Sequence, residues 1–233
     1  MPIDHAIKER LTIVQARIGA AAYSAKRDPA SIRLVLASKT QPSELIRAAW
    51  EAGARDFGEN YVQEAFAKQA ELRDLTDLRW HLIGHLQTNK AKTAATAFSL
   101  IHSVDSVRLA EALARAQPSP RVHVLIEVNL GAEASKTGVA PEEVAAILDA
   151  ATEKIEIDGL MTIPPPASSA EAARPWFARL REIRDLLATQ SSYALSELSM
   201  GMTDDFEVAI EEGATLVRIG RAVFGERRVN RDQ

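Results

Sequence analysis

Residues Leu34–Pro42 read Leu-Val-Leu-Ala-Ser-Lys-Thr-Gln-Pro, so an apolar run is followed, after one serine, by a lysine. Such a run, closed by a proline that suits the first turn of a helix, predicts a buried strand, a short turn and a helix start. Lys39 then lies at the carboxyl end of a core strand. Desolvation favours the neutral amine that attacks a carbonyl, which makes Lys39 a candidate for Schiff-base chemistry. Taken alone, the stretch is more often explained by a lysine that extends to solvent.

Outside this stretch, short apolar segments alternate with helical patterns. An amphipathic first helix runs from Asp4 to about Ala25. The predicted strands are Ile32–Ala37, Asp56–Glu59, Arg79–Ile83, Leu100–Ser103, Arg121–Val128, Glu156–Met161, Glu197–Ser199 and Leu216–Ile219. The predicted helices between them lie near Ser43–Ala52, Tyr61–Leu72, Lys90–Ala97, Ser106–Ala116, Pro141–Ala151, Ala170–Ala188 and Asp204–Glu212.

This strict alternation predicts parallel strands with right-handed crossovers. Eight units in 233 residues indicate one closed (β/α)8 TIM barrel with an extra helix at its amino terminus, a single domain over residues 1–233. An open, doubly wound sheet is the alternative.

The composition excludes several classes of protein. With 46% hydrophobic and 26% charged residues the chain is expected to be globular, and its net charge of −4 does not suggest nucleic-acid binding. No apolar run approaches the ~20 residues that span a bilayer and no signal peptide is evident, so we expect a cytoplasmic protein. The absence of cysteine rules out disulfides, thiolate catalysis and cysteine-ligated metals.

A barrel of this kind carries its chemistry on the loops after the strands, and phosphate commonly binds after strands seven and eight. Ser199–Asp205 and Arg218–Gly225 occupy those places, and both combine glycine with polar donors ahead of a helix, as a phosphate site requires. Alternatively, Thr203 or Asp204 is simply an N-cap, with Glu207 completing a capping box.

A lysine and a phosphate site on one rim fit a phosphorylated aldehyde, of which pyridoxal 5′-phosphate is the commonest cofactor. Its ring nitrogen needs a partner, and Arg218 is well placed. A guanidinium would donate to the nitrogen and leave the pyridine unprotonated, so the cofactor would be a poor electron sink.

Motifs along nearly the whole chain carry a family resemblance. They are Ala37–Thr40, Gly58–Tyr61, Trp80–Gly84 with Leu86-Gln87 and Asn89-Lys90, His102–Asp105, Asn129 with Ser135–Gly138, Gly159–Met161, Leu198–Met202 with Asp204-Asp205, and Val217–Gly220. In this order they resemble the pyridoxal phosphate homeostasis protein family, also called the proline synthase co-transcribed homologue family. That family is similar in fold to the barrel domain of bacterial alanine racemase.

The resemblance implies a set of cofactor-binding residues, namely Lys39, Asn60, Ser199, Thr203, Arg218, Gly220 and Arg221. Lys39 would carry pyridoxal phosphate as a Schiff base, Arg218 would face the pyridine nitrogen, and Asn60 would lie near the cofactor. Ser199, Thr203 and the backbone around Gly220 and Arg221 would hold the phosphate. The chain departs from the family at Gln41, where a second lysine is common, and His85 stands at a variable position.

The resemblance also implies a non-enzymatic role, keeping the supply of pyridoxal phosphate and of amino and keto acids in balance. Alanine racemase adds a second domain with an acid/base tyrosine, whereas this chain ends eight residues past Gly225. We therefore expect no catalytic residue, and an open cofactor face would suit transient contact with apo-enzymes that use pyridoxal phosphate. We expect a monomer, because no unusually apolar exposed helix face is evident in the sequence. Two alternatives remain: a racemase-type amino-acid enzyme with Tyr61 as base, and a Schiff-base aldolase that uses Lys39 on a sugar phosphate.

His81 and His85 are four residues apart, as in zinc-binding helices, but the glutamate of such a helix and a third ligand are missing. We expect no metal site.

Overall fold

Eight short strands and nine helices alternate through the part of the chain that this computed structural model describes, residues 3–116, 121–131, 137–151 and 154–225. The strands are β1 Arg33–Ala37, β2 Asp56–Glu59, β3 Arg79–Leu82, β4 Leu100–Val104, β5 Val122–Glu127, β6 Ile155–Met161, β7 Glu197–Ser199 and β8 Leu216–Ile219. The helices are α1 Ile3–Ser24, α2 Ser43–Glu51, α3 Val62–Glu71, α4 Ala91–Ala97, α5 Val107–Arg115, α6 Val144–Ala150, α7 Ala170–Gln190, α8 Phe206–Glu211 and α9 Arg221–Phe224. Short 3-10 turns lie at Pro29–Ser31, Thr88–Lys90 and Pro141–Glu143.

The predicted strands and helices are all confirmed, with ends that differ by less than one helical turn. The short helix α9 was not among the predicted helices, although the phosphate-site pattern of Arg218–Gly225 implied a helix start after β8. Ser135 and Lys136 of the Ser135–Gly138 motif lie outside the described residues.

Parallel pairing continues around the whole sheet and returns to its start. Val35 of β1 lies opposite Asp56 of β2 on one side and Arg218 of β8 on the other. The eight strands therefore form a closed barrel, which confirms the (β/α)8 prediction. The open doubly wound alternative is wrong, because β1 and β8 would be separate edges in an open sheet.

Alternate residues of each strand face opposite sides of the barrel wall, so the apolar core has two layers. The larger layer lies between the wall and the helices and contains the fully buried Phe57, Phe177 and Phe206. The smaller layer lies inside the barrel and consists of Val35, Leu100, Leu125, Met161 and Leu216.

Helix α1 packs outside the barrel through an apolar stripe. Ile7, Leu11 and Val14 are among its buried residues. Arg17 ties α1 to α8, since its guanidinium makes two 2.8 Å bonds to the Glu207 carboxylate and lies 4.6 Å from the centre of the Phe206 ring. None of the described helices is both long enough and apolar enough to span a bilayer.

Candidate functional site

A cavity of about 580 Å³ opens at the carboxyl ends of the strands. Six of the seven site residues that the sequence predicted line it, namely Lys39, Asn60, Thr203, Arg218, Gly220 and Arg221. They end or follow β1, β2, β7 and β8, which are four consecutive strands of the closed barrel. Closure of β8 on β1 is what brings residues 39 and 218 to one cavity.

Lys39 is half-buried, two residues beyond the end of β1. The turn that carries it is held on both sides. The Ser38 N–H donates to the Gly58 carbonyl at 2.9 Å, and the Thr40 N–H donates to Glu64 Oε1 at 2.6 Å. Thr40 has a φ of +62°, a left-handed conformation that is unusual for a β-branched residue and persists only where its surroundings impose it.

A buried lysine braces this turn from behind. Lys68 Nζ donates to the Ser38 carbonyl at 2.8 Å, to Glu59 Oε1 at 2.8 Å and to Glu64 Oε1 at 2.7 Å. The Ser38 hydroxyl also donates to Glu59 Oε1, at 2.6 Å. Burial raises the pKa of Glu59, and the bonds from Lys68 and Ser38 partly offset that rise. We call Ser38, Glu59, Glu64 and Lys68 the brace.

Sequence reasoning missed the brace. The signal was available in part, because Glu64 and Lys68 have the i, i+4 spacing of a helical ion pair and Glu59 ends a predicted strand. Nothing in the sequence, however, shows that helix α3 turns this pair towards residue 38.

Arg218 is a buried cation with neutral partners. Its guanidinium donates to Ser199 Oγ at 2.6 Å and to the Thr162 carbonyl at 3.0 Å. Among the described residues no carboxylate forms an ion pair with it, and burial lowers the pKa of Arg218 to about 10. Two of its five N–H donors are used in these bonds, so the side chain can still donate to a ligand in the cavity that it lines.

Ser199, the seventh predicted residue, is fully buried at the end of β7. Its hydroxyl contacts Arg218 and lies 2.8 Å from His102 Nδ1. The phosphate contact inferred for Ser199 stays a prediction.

The loop after β7 departs from the predicted N-cap. Asp205, and not Thr203 or Asp204, occupies the N-cap position of α8, and its carboxylate accepts the Met202 N–H at 2.6 Å. Glu207 does not close a capping box, because its carboxylate is paired with Arg17. That alternative is therefore wrong, and Thr203 is left lining the cavity.

Tyr61 lies on the other side of Asn60 from the Lys39 cavity. It is 64% exposed and lines a neighbouring cavity of about 390 Å³, which Asn60 and His85 also line. His85 is exposed and pairs with Asp105, whereas His81 points into the barrel and contacts His102 and Asp56. Among the described residues, no cluster of three or more potential ligands could hold a metal ion.

Comparison with known proteins places this geometry in a family. The model of the alanine racemase N-terminal domain matches residues 12–228. The pyridoxal phosphate homeostasis protein of Pseudomonas aeruginosa is 48% identical over 225 residues, which are 95% of this chain and 96% of the relative. That of Aquifex aeolicus is 47% identical and covers 94% of this chain and 98% of its own.

Solved structures agree. PipY of Synechococcus elongatus, solved with pyridoxal phosphate bound, is 40% identical with a TM-score of 0.82, and covers 94% of this chain and all of its own (100%). Alanine racemase of Corynebacterium glutamicum has a TM-score of 0.74 at 18% identity over 99% of this chain and 64% of its own, which shows the shared fold alone.

Proposed function

This chain belongs to the pyridoxal phosphate homeostasis proteins of the alanine racemase N-terminal domain family, and from that premise we propose that it binds pyridoxal 5′-phosphate and serves its homeostasis. The observation that carries the proposal is the pairing of Lys39 with Arg218 in one cavity. The amine of Lys39 suits the aldehyde of pyridoxal phosphate. The guanidinium of Arg218, which has no carboxylate partner among the described residues, suits the ring nitrogen as a hydrogen-bond acceptor.

The residues fit the cofactor group by group. The amine of Lys39 would condense with the aldehyde and release water, which gives a Schiff base. Arg218 would donate to the ring nitrogen. Thr203, Ser199 and the backbone of Gly220 and Arg221 would contact the phosphate. Asn60 would lie near the ring.

The same residues argue against catalytic turnover. When bound, pyridoxal phosphate supplies an electron sink whose strength depends on protonation of its ring nitrogen. Arg218 can only donate a hydrogen bond, so it would hold that nitrogen unprotonated and the sink would be weak. A racemase also needs a second acid or base facing Lys39, and Tyr61 lines the neighbouring cavity instead.

We propose further that the bound cofactor passes to apo-enzymes. The cavity mouth has an apolar rim at Ile163 and Met202, which are 40% and 37% exposed. An open, partly apolar mouth suits brief docking of an acceptor protein. Apo-enzymes should regain activity faster from the loaded protein than from the same concentration of free cofactor, and equal rates would refute transfer.

The central experiment is the visible absorption spectrum of the protein with added pyridoxal phosphate, before and after borohydride. Mass spectrometry of the peptide that contains residue 39 then locates the reduced adduct. We expect an absorption band and an adduct on Lys39 in the wild type and in Lys92→Ala, whose lysine is exposed on α4, and neither in Lys39→Ala.

A wild-type protein that takes up no pyridoxal phosphate would refute the proposed function. Solvent exchange of an amino-acid α-proton at a catalytic rate would refute the absence of turnover.

A further inference from the structure

A hydrogen-bonded chain of five polar side chains crosses the interior of the barrel below the Lys39 cavity. Arg218 Nη1 lies 2.6 Å from Ser199 Oγ, and Ser199 Oγ lies 2.8 Å from His102 Nδ1. His102 Nε2 lies 2.9 Å from His81 Nδ1, and His81 Nε2 lies 2.9 Å from Asp56 Oδ1. We call these five residues the relay.

The relay crosses the barrel interior between strands β8 and β2. Arg218 lies near the carboxyl end of β8, whereas Asp56 is the first residue of β2. Asp56 is held there by two bonds from Arg79, of 2.8 and 2.6 Å. Both ends of the relay are therefore tied to the barrel wall.

Burial makes the relay costly unless every bond in it is satisfied. All five residues are buried, with His102 and Ser199 fully so, and the interiors of such barrels are usually filled by branched aliphatic side chains. Burial holds the pKa values of both histidines below their ordinary value, so both rings are neutral near pH 7. Buried polar residues in place of aliphatic ones therefore indicate a role other than packing.

The donors and acceptors of the relay have one consistent direction. A guanidinium cannot accept, so Ser199 Oγ accepts from Arg218. Among the described residues, the other partner of this hydroxyl is His102 Nδ1, which must take its hydrogen. The proton of His102 is then on Nε2 and faces His81 Nδ1.

His81 follows the same logic. Because its Nδ1 accepts from His102, its proton is on Nε2, where it is donated to the Asp56 carboxylate. The direction Arg218 to Ser199 to His102 to His81 to Asp56 thus leaves no donor facing a donor, with both histidines as the Nε2–H tautomer.

We propose that His102 and His81 are positioning residues for the cofactor: they take up the Ser199 hydroxyl hydrogen, make Ser199 Oγ an acceptor for Arg218, and so hold the guanidinium at the cavity for the ring nitrogen. This inference rests on the proposed function. It extends the binding site to residues that line neither cavity and assigns the polar interior to cofactor retention.

The tautomers test the relay without any cofactor. Nitrogen-15 NMR of the histidine rings in the full chain at pH 7.5 should show His81 and His102 both neutral and protonated on Nε2. An Nδ1–H tautomer or a doubly protonated ring at either position would overturn the relay, whatever the protein binds.

Cofactor retention is tested by titration with pyridoxal phosphate and with 4′-deoxypyridoxine 5′-phosphate, which keeps the ring nitrogen and the phosphate but lacks the aldehyde. His102→Leu should bind both about tenfold more weakly, the loss expected from one misplaced hydrogen bond to a charged group. His102→Asn should recover most of the affinity, because its Oδ1 can take the place of Nδ1 as acceptor. His123→Leu, which changes an exposed histidine paired with Asp158, is the matched control.

The outcomes distinguish failure of the positioning role from failure of the proposed function. Unchanged affinity in His102→Leu, or an equal loss in His102→Leu and His102→Asn, would overturn the positioning role while the proposed function stands. If the wild type binds neither compound, the proposed function itself fails. Should His102→Leu fail to fold, the tautomer measurement on the wild type still decides the inference, because an Nδ1–H tautomer at His102 would leave Ser199 Oγ without an acceptor for its hydrogen and would overturn the positioning role.

Discussion

Replacing Lys68 with methionine should destabilise the protein strongly, although methionine matches much of the lysine side-chain volume. Lys68 is 7% exposed, Glu59 is not exposed, and the ammonium group satisfies Glu59, Glu64 and the Ser38 carbonyl together. Its loss leaves the Glu59 carboxylate buried without a counter-charge. Breaking one side of such a buried pair costs about 3–5 kcal/mol of unfolding free energy.

The structure also predicts how this loss is relieved. Glu59 Oε2 is buried and has no hydrogen-bond partner among the described residues, so the carboxylate depends on Oε1 alone. Neutralising it in Glu59→Gln/Lys68→Met removes the uncompensated charge. The double variant should therefore be less destabilised than the sum of the two single variants, by about 1–3 kcal/mol.

Urea unfolding at pH 7, followed by circular dichroism, measures all three variants. Lys92→Met is the control, because Lys92 is exposed on α4, and it should stay within about 0.5 kcal/mol of the wild type. Since the brace holds residues 38 and 40, Lys68→Met should also retain less cofactor at Lys39. A loss below about 1 kcal/mol in Lys68→Met, or strict additivity in the double variant, would refute the brace as a buried ionic network.

Three further changes have defined outcomes. Burial lowers the pKa of both relay histidines in the folded protein, so below the ordinary histidine pKa near 6.5 the unfolded chain binds protons that the folded protein does not. As the pH falls through this range, each histidine should therefore lower the unfolding free energy by about 1.4 kcal/mol per pH unit. Urea unfolding between pH 7.5 and 5.5 checks this, and an identical slope in His102→Gln would contradict it. Gly159→Ala would place a Cβ 1.8 Å from the Glu197 carbonyl oxygen, so β6 and β7 must separate and thermal unfolding should show a loss of about 3 kcal/mol or more, whereas Gly19→Ala, with nothing within 4 Å, should be neutral or mildly stabilising. Arg174→Ala removes an ion-pair network with three glutamates on the helical surface and should cost less than about 1 kcal/mol, and a larger loss that survives 1 M salt would show that the network is not surface-screened.

The brace and the relay each support one residue that lines the same cavity. The brace fixes the turn that carries Lys39, and the relay fixes Arg218 on the neighbouring strand. Both consist largely of buried polar groups, and each joins residues from different strands or helices. A site held in this way keeps Lys39 and Arg218 in place through bonds to the barrel wall and to helix α3.

Much of this protein is determined by local sequence. The alternation of short apolar runs with helical periodicity predicted the strands and helices. Burial of one or both faces of an element imposes a regular spacing of apolar residues, and that spacing is visible in the sequence. The positions of Lys39 and Arg218 were predictable for the same reason, since both lie near the carboxyl end of an apolar strand, which is where a barrel carries its site. The lysine and the phosphate loops on one rim predicted a phosphorylated aldehyde, and the family motifs added independent support for pyridoxal phosphate.

Tertiary structure decided what depends on residues that are far apart in the chain. Barrel closure became certain only from the pairing of β1 with β8, since an open sheet has the same local pattern. The relay joins residues 56, 81, 102, 199 and 218, which lie on five different strands, and no sequence spacing links them. Hydrogen-bond direction, and with it the tautomer of each histidine, exists only once donors and acceptors face each other at bonding distance, and that is a property of the folded barrel and not of the sequence order.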